Sequence, residues 1–204
     1  MKNLPLIHLM TRQPLQKRGR MGLRSELKAA TQADHEKLDR LVSRWDLSHR
    51  DSYAEFLRLH SALIPPLEQW LERSGVESLL PDWLVRQRRG ALQSDLAALS
   101  VQPLAPVGIE LRPSLPSVAG VLYVLEGSRL GGKLLVRRVV SVSEAVPAAF
   151  LEHGSGSQLW RSYLNWLDSQ SFGPASRREA VTSARSVFDL YTATAGFLLK
   201  EIAE

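Results

Sequence analysis

The chain of 204 residues contains no cysteine at all. That absence removes disulfide scaffolds, thiol nucleophiles, zinc fingers and cysteine-ligated iron–sulfur clusters. Long apolar runs are missing too, and nothing approaches the roughly 18–20 residues a membrane-spanning helix needs, so an integral membrane protein is excluded. There is no GxGxxG after a strand, no P-loop, no GxSxG elbow and no HExxH, which argues against a hydrolase. The five histidines (His8, His35, His49, His60, His153) never occur as a Glu-x-x-His pair, so a di-iron bundle site lacks its ligands. What is present is an ordinary globular mixture, 44% hydrophobic and 23% charged with 7% aromatic. Its length suits one domain with a sizeable core.

The charge balance, +5 with a pI near 9.8, suggests a nucleic-acid binder until it is located. Residues 1–25 hold six cations (Lys2, Arg12, Lys17, Arg18, Arg20, Arg24) and no acid. The other 179 residues carry twenty cations against twenty-one acids, a net −1. A basic tail on a neutral body is not the basic face that nucleic acid requires. Nor does the tail read as a signal peptide, because Pro5 and Pro14 break its short apolar stretch and no small-residue cleavage site follows. The expected organisation is a basic, disordered tail over 1–20 and one folded domain over 21–204, with a cytoplasmic location as the default.

From Met21 the punctuation predicts an all-helical protein. Leu23, Leu27, Ala30, Leu38, Leu41 and Val42 recur at helical spacing, a helix over 22–43. Ser48 and Asp51 should open a second helix, which Pro65 and Pro66 should bend or restart. Gly75 and Pro81 bracket a loop before a short helix over 91–99. Four prolines between 103 and 116 make an irregular link. The most apolar stretch, 117–140, is split by Gly127, Gly131 and Gly132. Ser141 with Glu144 should cap a short helix, 158–167 forms another, and 176–203 a long one with Ser176 and Glu179 as capping box.

Two features carry chemistry. His35 lies on the apolar seam of the first helix, so its imidazole points inward, and Asp39 stands one turn further on. A carboxylate there can fix the tautomer and leave the other nitrogen for a metal; a core histidine satisfied by a local acid fits the same pattern. The glycine cluster is the second. Each glycine inside a helix costs about 1 kcal/mol relative to alanine, so keeping three suggests a bare face that something flat can approach. A turn between two shorter helices, with Gly131 and Gly132 as a C-terminal cap, fits equally well. Together an inward imidazole and a bare backbone face suggest a sandwich around a planar metal-centred ligand, for which haem is the cysteine-free option.

These residues resemble a known family. Leu27-Lys-Ala-Ala-Thr31 followed by His35 resembles the proximal helix of the haem oxygenases, and residues 123–132 (Tyr-Val-Leu-Glu-Gly-Ser-Arg-Leu-Gly-Gly) resemble their glycine-rich distal helix, in the version found in bacteriophytochrome-associated bacterial enzymes. The segments 53–68, 89–96 and 160–188 agree in order, so the resemblance covers about 22–203.

The resemblance implies an all-α domain with haem sandwiched between the proximal helix and a kinked distal one. It implies an enzyme that opens haem b to biliverdin, carbon monoxide and iron, using O2 and an external electron donor such as ferredoxin or its reductase. The product would supply a bacteriophytochrome, with neither nucleic acid nor membrane as partner. A non-catalytic haem carrier or sensor would share the same features. Carried over residue by residue, His35 is the iron ligand and Asp39 its orienting partner, while Gly127, Gly131 and Gly132 cover the distal side. Lys28 and Arg161 match positions that place cations near the propionates, and Phe188 matches a pocket wall; solvated surface charges and plain core are the competing readings. Many members carry an aspartate directly after the first distal glycine. Here Ser128 stands there, followed by Arg129, which leaves the proton route unassigned.

Overall fold

The computed structural model describes residues 22–139 and 146–201. Nine helices and no strand occur among them: α1 (Leu23–Val42), α2 (Arg50–Arg73), α3 (Val76–Leu79), α4 (Trp83–Arg86), α5 (Arg89–Ala98), α6 (Leu115–Val139), α7 (Ala149–Glu152), α8 (Leu159–Ser169) and α9 (Pro174–Glu201). The expected tail over 1–20 and the Ser141–Glu144 cap lie outside the described residues.

The long C-terminal helix α9 is the spine. Both α1 and α6 pack along it, yet they scarcely touch each other. The crossing of α6 on α9 depends on Gly120. A Cβ at that position would stand 2.1 Å from the Ala180 carbonyl oxygen and 3.0 Å from the Ala184 nitrogen, so only glycine lets the two backbones meet. The apolar seam of α1 then divides. Leu23 and Leu27 are buried against the core, while Leu38, Leu41 and Val42 on the same seam are only half-buried. The gap between α1 and α6 is what they face.

Three expectations fail for identifiable reasons. Pro65 and Pro66 do not restart α2, which runs through both. Pro66 has no N–H for the Ala62 carbonyl, and the Val107 N–H replaces it at 2.9 Å. Ser48 is not the N-cap of α2: its hydroxyl donates to Asp46 Oδ1 at 2.7 Å, and His49 takes the cap position. Ser176 and Glu179 form no capping box, because α9 already begins at Pro174. Glu179 instead accepts from Ser114 Oγ at 2.6 Å and ties the start of α6 to α9.

The glycine cluster is settled as well. α6 passes through Gly127, Gly131 and Gly132 as one continuous helix, so the reading of a turn between two helices does not hold.

Candidate functional site

Between α1 and α6 lies a cavity enclosing about 1520 Å³ of space, its open mouth included. On one side α1 contributes Lys28, His35, Leu38, Asp39 and Val42. Opposite, α6 contributes the stretch from Gly127 to Gly132 together with Leu134 and Leu135. Helix α9 closes the floor with Phe188 and Tyr191. The walls near the mouth are apolar side chains left half-covered by protein, Leu38 and Val42 facing Leu130 and Leu134. Surface of this kind stays exposed only where something else covers it.

His35 is held on the α1 wall with its side chain 27% exposed. The Phe188 ring meets it edge-on, centroids 5.8 Å apart at 64°. His35 Nδ1 lies 3.1 Å from Asp39 Oδ2, although that oxygen has no hydrogen-bond partner. A turn of the imidazole would convert this contact into an Nδ1–H···O bond and present Nε2 to the cavity. Among the described residues no group of three or more metal-ligating side chains exists. A metal held by His35 must therefore bring its other ligands with it, as a metal in a planar macrocycle does. The donor set, the orphaned carboxylate oxygen and the apolar facing walls all fit such a group.

The α6 side is more polar than its sequence suggests, because side chains from elsewhere reach it. Arg88 enters from the segment before α5. Its Nη1 donates to Ser128 Oγ at 3.0 Å and its Nη2 to the Leu125 carbonyl at 3.1 Å, while its guanidinium stacks 5.3 Å over Phe150. Glu68 holds the Arg88 backbone N–H at 2.6 Å. Burial, aided by the nearby Arg129, lowers the Arg88 pKa to about 10, which leaves it charged at neutral pH. Ser128 Oγ in turn donates to the Leu125 carbonyl at 2.8 Å. His60 comes from α2, packed among Phe56, Phe150 and Tyr191. Its Nδ1 sits 2.8 Å from the Phe56 carbonyl and so carries the proton, leaving Nε2 as an acceptor. Burial drives the His60 pKa down to about 4, so the ring is neutral.

The fold thus brings Lys28, His35, Asp39, Gly127, Ser128, Gly131, Gly132 and Phe188 to one cavity. Arg161 is not brought there. The buried face of α8 is Leu159, Tyr163, Leu164 and Leu167, which leaves position 161 exposed and off the cavity wall. Gly132 has a second duty: a Cβ there would come 2.9 Å from the Leu151 carbonyl oxygen, so it also admits α7 against α6. Arg129, next after Ser128, also reaches the wall, whereas Glu126 does not. Sequence reasoning missed Arg88, His60 and His153, and the lone histidine at position 60 on the apolar face of α2 was the available signal.

The family model for "Heme oxygenase" matches residues 21–197. The chain belongs to the haem oxygenase family. Among its relatives, a heme oxygenase of Xanthomonas campestris pv. campestris is 31% identical over 144 residues, covering 68% of this chain and 85% of that protein. Heme oxygenase PigA of Pseudomonas aeruginosa is 29% identical over 181 residues, covering 84% and 91%. Of solved structures, the NO- and CO-bound heme oxygenase from Neisseria meningitidis shares the fold with a TM-score of 0.76 at 24% identity, over 88% of this chain and 92% of that one. Heme oxygenase-1 from Synechocystis in complex with heme gives 0.59 at 15% identity, over 90% and 96%. As a haem oxygenase the protein is an oxidoreductase with haem as its substrate, and no described helix is long and apolar enough to cross a membrane.

Proposed function

We propose that the chain binds one haem b through His35 Nε2 and opens it to biliverdin, carbon monoxide and iron, with O2 and electrons from a donor such as ferredoxin or its reductase. The observation that carries this reading is the placement of His35 on one wall of the cavity, facing a continuous helix whose glycines leave its backbone bare. Bound haem supplies the redox chemistry and is itself the molecule cut. The protein's share is to bind, orient and hold protons. Asp39 fixes the His35 ring, Phe188 braces it, and Leu38, Val42, Leu130 and Leu134 cover the faces of the macrocycle. Lys28, exposed at the rim, is placed to meet a propionate.

On the α6 side, no histidine or acidic side chain among the described residues stands on the glycine face, so a bound haem would meet bare backbone there. Protons there are held at Arg88 Nη1–H, bonded to Ser128 Oγ, and at Ser128 Oγ–H, bonded to Leu125. His60 Nε2 is an acceptor that can order water in the same cavity. These groups, rather than an acidic side chain after Gly127, are the distal hydrogen-bonding set. Serine in place of aspartate matches the phytochrome-associated enzymes and supports a bacteriophytochrome as recipient of the product.

Haem added to the purified chain, followed by a reductant in air, tests the reading by visible spectroscopy. A histidine-ligated haem spectrum that gives way to biliverdin is expected. Haem binding without product would make the protein a carrier, and no binding would remove the proposal altogether.

A further inference from the structure

Glu126 immediately precedes the glycine stretch, does not line the cavity, and is 1% exposed. Two arginines saturate it. Arg86 Nη1 donates to Glu126 Oε2 at 2.8 Å, and Arg129 donates through Nε to Oε2 and through Nη2 to Oε1, both at 3.0 Å. Every N–H of Arg86 is used: Nε and Nη2 pair with the two Asp82 oxygens at 2.7 and 2.8 Å, Nη2 also meets Ser162 Oγ at 2.6 Å, and Nη1 also meets the Leu159 carbonyl at 3.0 Å. Arg129 reaches back to the Arg86 carbonyl and forward to His153 Nδ1 at 3.1 Å. One carboxylate of α6 is therefore locked to α4, to α8 and to the residues after α7.

Such a network is a poor source of stability, since apolar side chains of equal volume commonly serve as well. What it supplies is direction, because a carboxylate gripped by planar guanidinium forks has its orientation set on two sides. That is what the glycine stretch lacks on its cavity side. Helices fix their rotation and height by interdigitating side chains with their neighbours, and Gly127 and Gly131 have none to offer on the cavity face.

We propose that Glu126, held between Arg86 and Arg129, is a positioning residue that sets the rotation and height of the glycine stretch of α6 over the cavity. Its purpose rests on the haem-cutting function proposed above; its mechanical effect does not.

The test is Glu126→Gln in the full chain, read first by amide hydrogen exchange without haem. Exchange at residues 124–132 should accelerate at least about tenfold, while α2 and the middle of α9 stay within about twofold. With reduced haem bound, the stretching frequency of added carbon monoxide should shift. Equal acceleration throughout would make the cluster general support, and unchanged exchange would mean that it does not hold α6; either result overturns the proposal. Should Glu126→Gln not fold, Arg129→Lys, which keeps the charge and loses the fork, is read in the same way. Failure of both to fold also overturns it, because positioning would then be inseparable from folding. A wild-type chain that takes up no haem would overturn the proposed function instead and leave the exchange result standing.

Discussion

His35 is the side chain on which the proposed chemistry turns. Its surroundings are mostly apolar, with Phe188 at its edge and Asp39 beside Nδ1. Replacing it with alanine leaves a gap the size of an imidazole. The expected outcome for His35→Ala is loss of the histidine-ligated haem spectrum and of turnover, with both restored by added imidazole; an unaltered spectrum would show that another residue holds the iron. Ser128 and Arg88 make a second comparison. The Ser128 hydroxyl is already committed as donor to Leu125 and as acceptor from Arg88, so it is a poor proton source. Ser128→Ala should slow turnover by less than about tenfold, roughly 1.4 kcal/mol of barrier. Arg88→Leu removes the charge that faces the same space and should cost about tenfold more than the serine change, as charge-assisted hydrogen bonds exceed neutral ones. Single-turnover rates with haem bound measure both, and a larger loss for the serine variant would reverse the assignment.

Among the helices, α6 does the most and contains the most glycine. Its three kinds of glycine contact differ. Gly120 lets α9 cross, Gly132 admits α7, and Gly127 and Gly131 line the cavity. Gly120→Ala should therefore act on stability. The methyl group has no space beside the Ala180 carbonyl, and overpacking of this kind costs typically 1–3 kcal/mol. A loss of about 2 kcal/mol would lower the melting temperature by roughly 4–8 °C in a domain this size. Gly131→Leu should act on the site instead, with helicity retained and haem uptake or turnover blocked. Circular dichroism and haem titration separate the two. A Gly131→Leu chain that turns haem over normally would show that the bare face of α6 has no role.

Across the whole molecule, the dominant fact is that α1 and α6 lean on α9 while leaving a gap between themselves. A ligand filling that gap binds only the folded chain, so haem at a hundred times its dissociation constant should add about 2.7 kcal/mol of stability. A melting temperature unmoved by haem would contradict a site between these helices. Acid should weaken the fold through His60. Its pKa falls from 6.5 to about 4 on folding, because burial disfavours the charged ring and Arg88 repels it. The unfolded chain then binds the proton first, so stability is full above pH 6.5 and declines as pH falls toward 4, by up to about 3 kcal/mol. Burial lowers His153 as well, in the same sense, whereas Glu68 and Asp95 are raised by burial and oppose it. The clean measurement is the difference between wild type and His60→Leu. Denaturant midpoints at pH 4.5 and 7.5 should differ less in the variant, and an equal difference would exclude His60 as the source.

Helix periodicity, the inward seam that carries His35, and the glycines at positions 127, 131 and 132 are local properties of the chain, and each was legible from spacing alone. Spacing also sufficed for the Asp39 partner one turn away. The helix ends expected at Ser48 and Ser176 lie elsewhere, because the Ser48 hydroxyl is claimed by Asp46, while α9 already begins at Pro174 and Glu179 is taken by Ser114. Continuity of α2 through two prolines depends on a carbonyl filled from residue 107, over forty positions away. The polar lining of the cavity depends on the tertiary structure in the same way. Arg88, His60 and His153 come from three separate segments, and nothing periodic in any of them marks a cavity. Arg161 shows the converse: a cation in a matching position along the chain ends on the outer face of α8, because the apolar stripe of that helix determines which way it turns. The sequence by itself determined the longer helices and the inward seam that carries His35, since those follow from contacts within a few turns of one helix. The tertiary structure alone decided what surrounds that residue, since burial and charge pairing there join groups that are neighbours only after the helices have packed on α9.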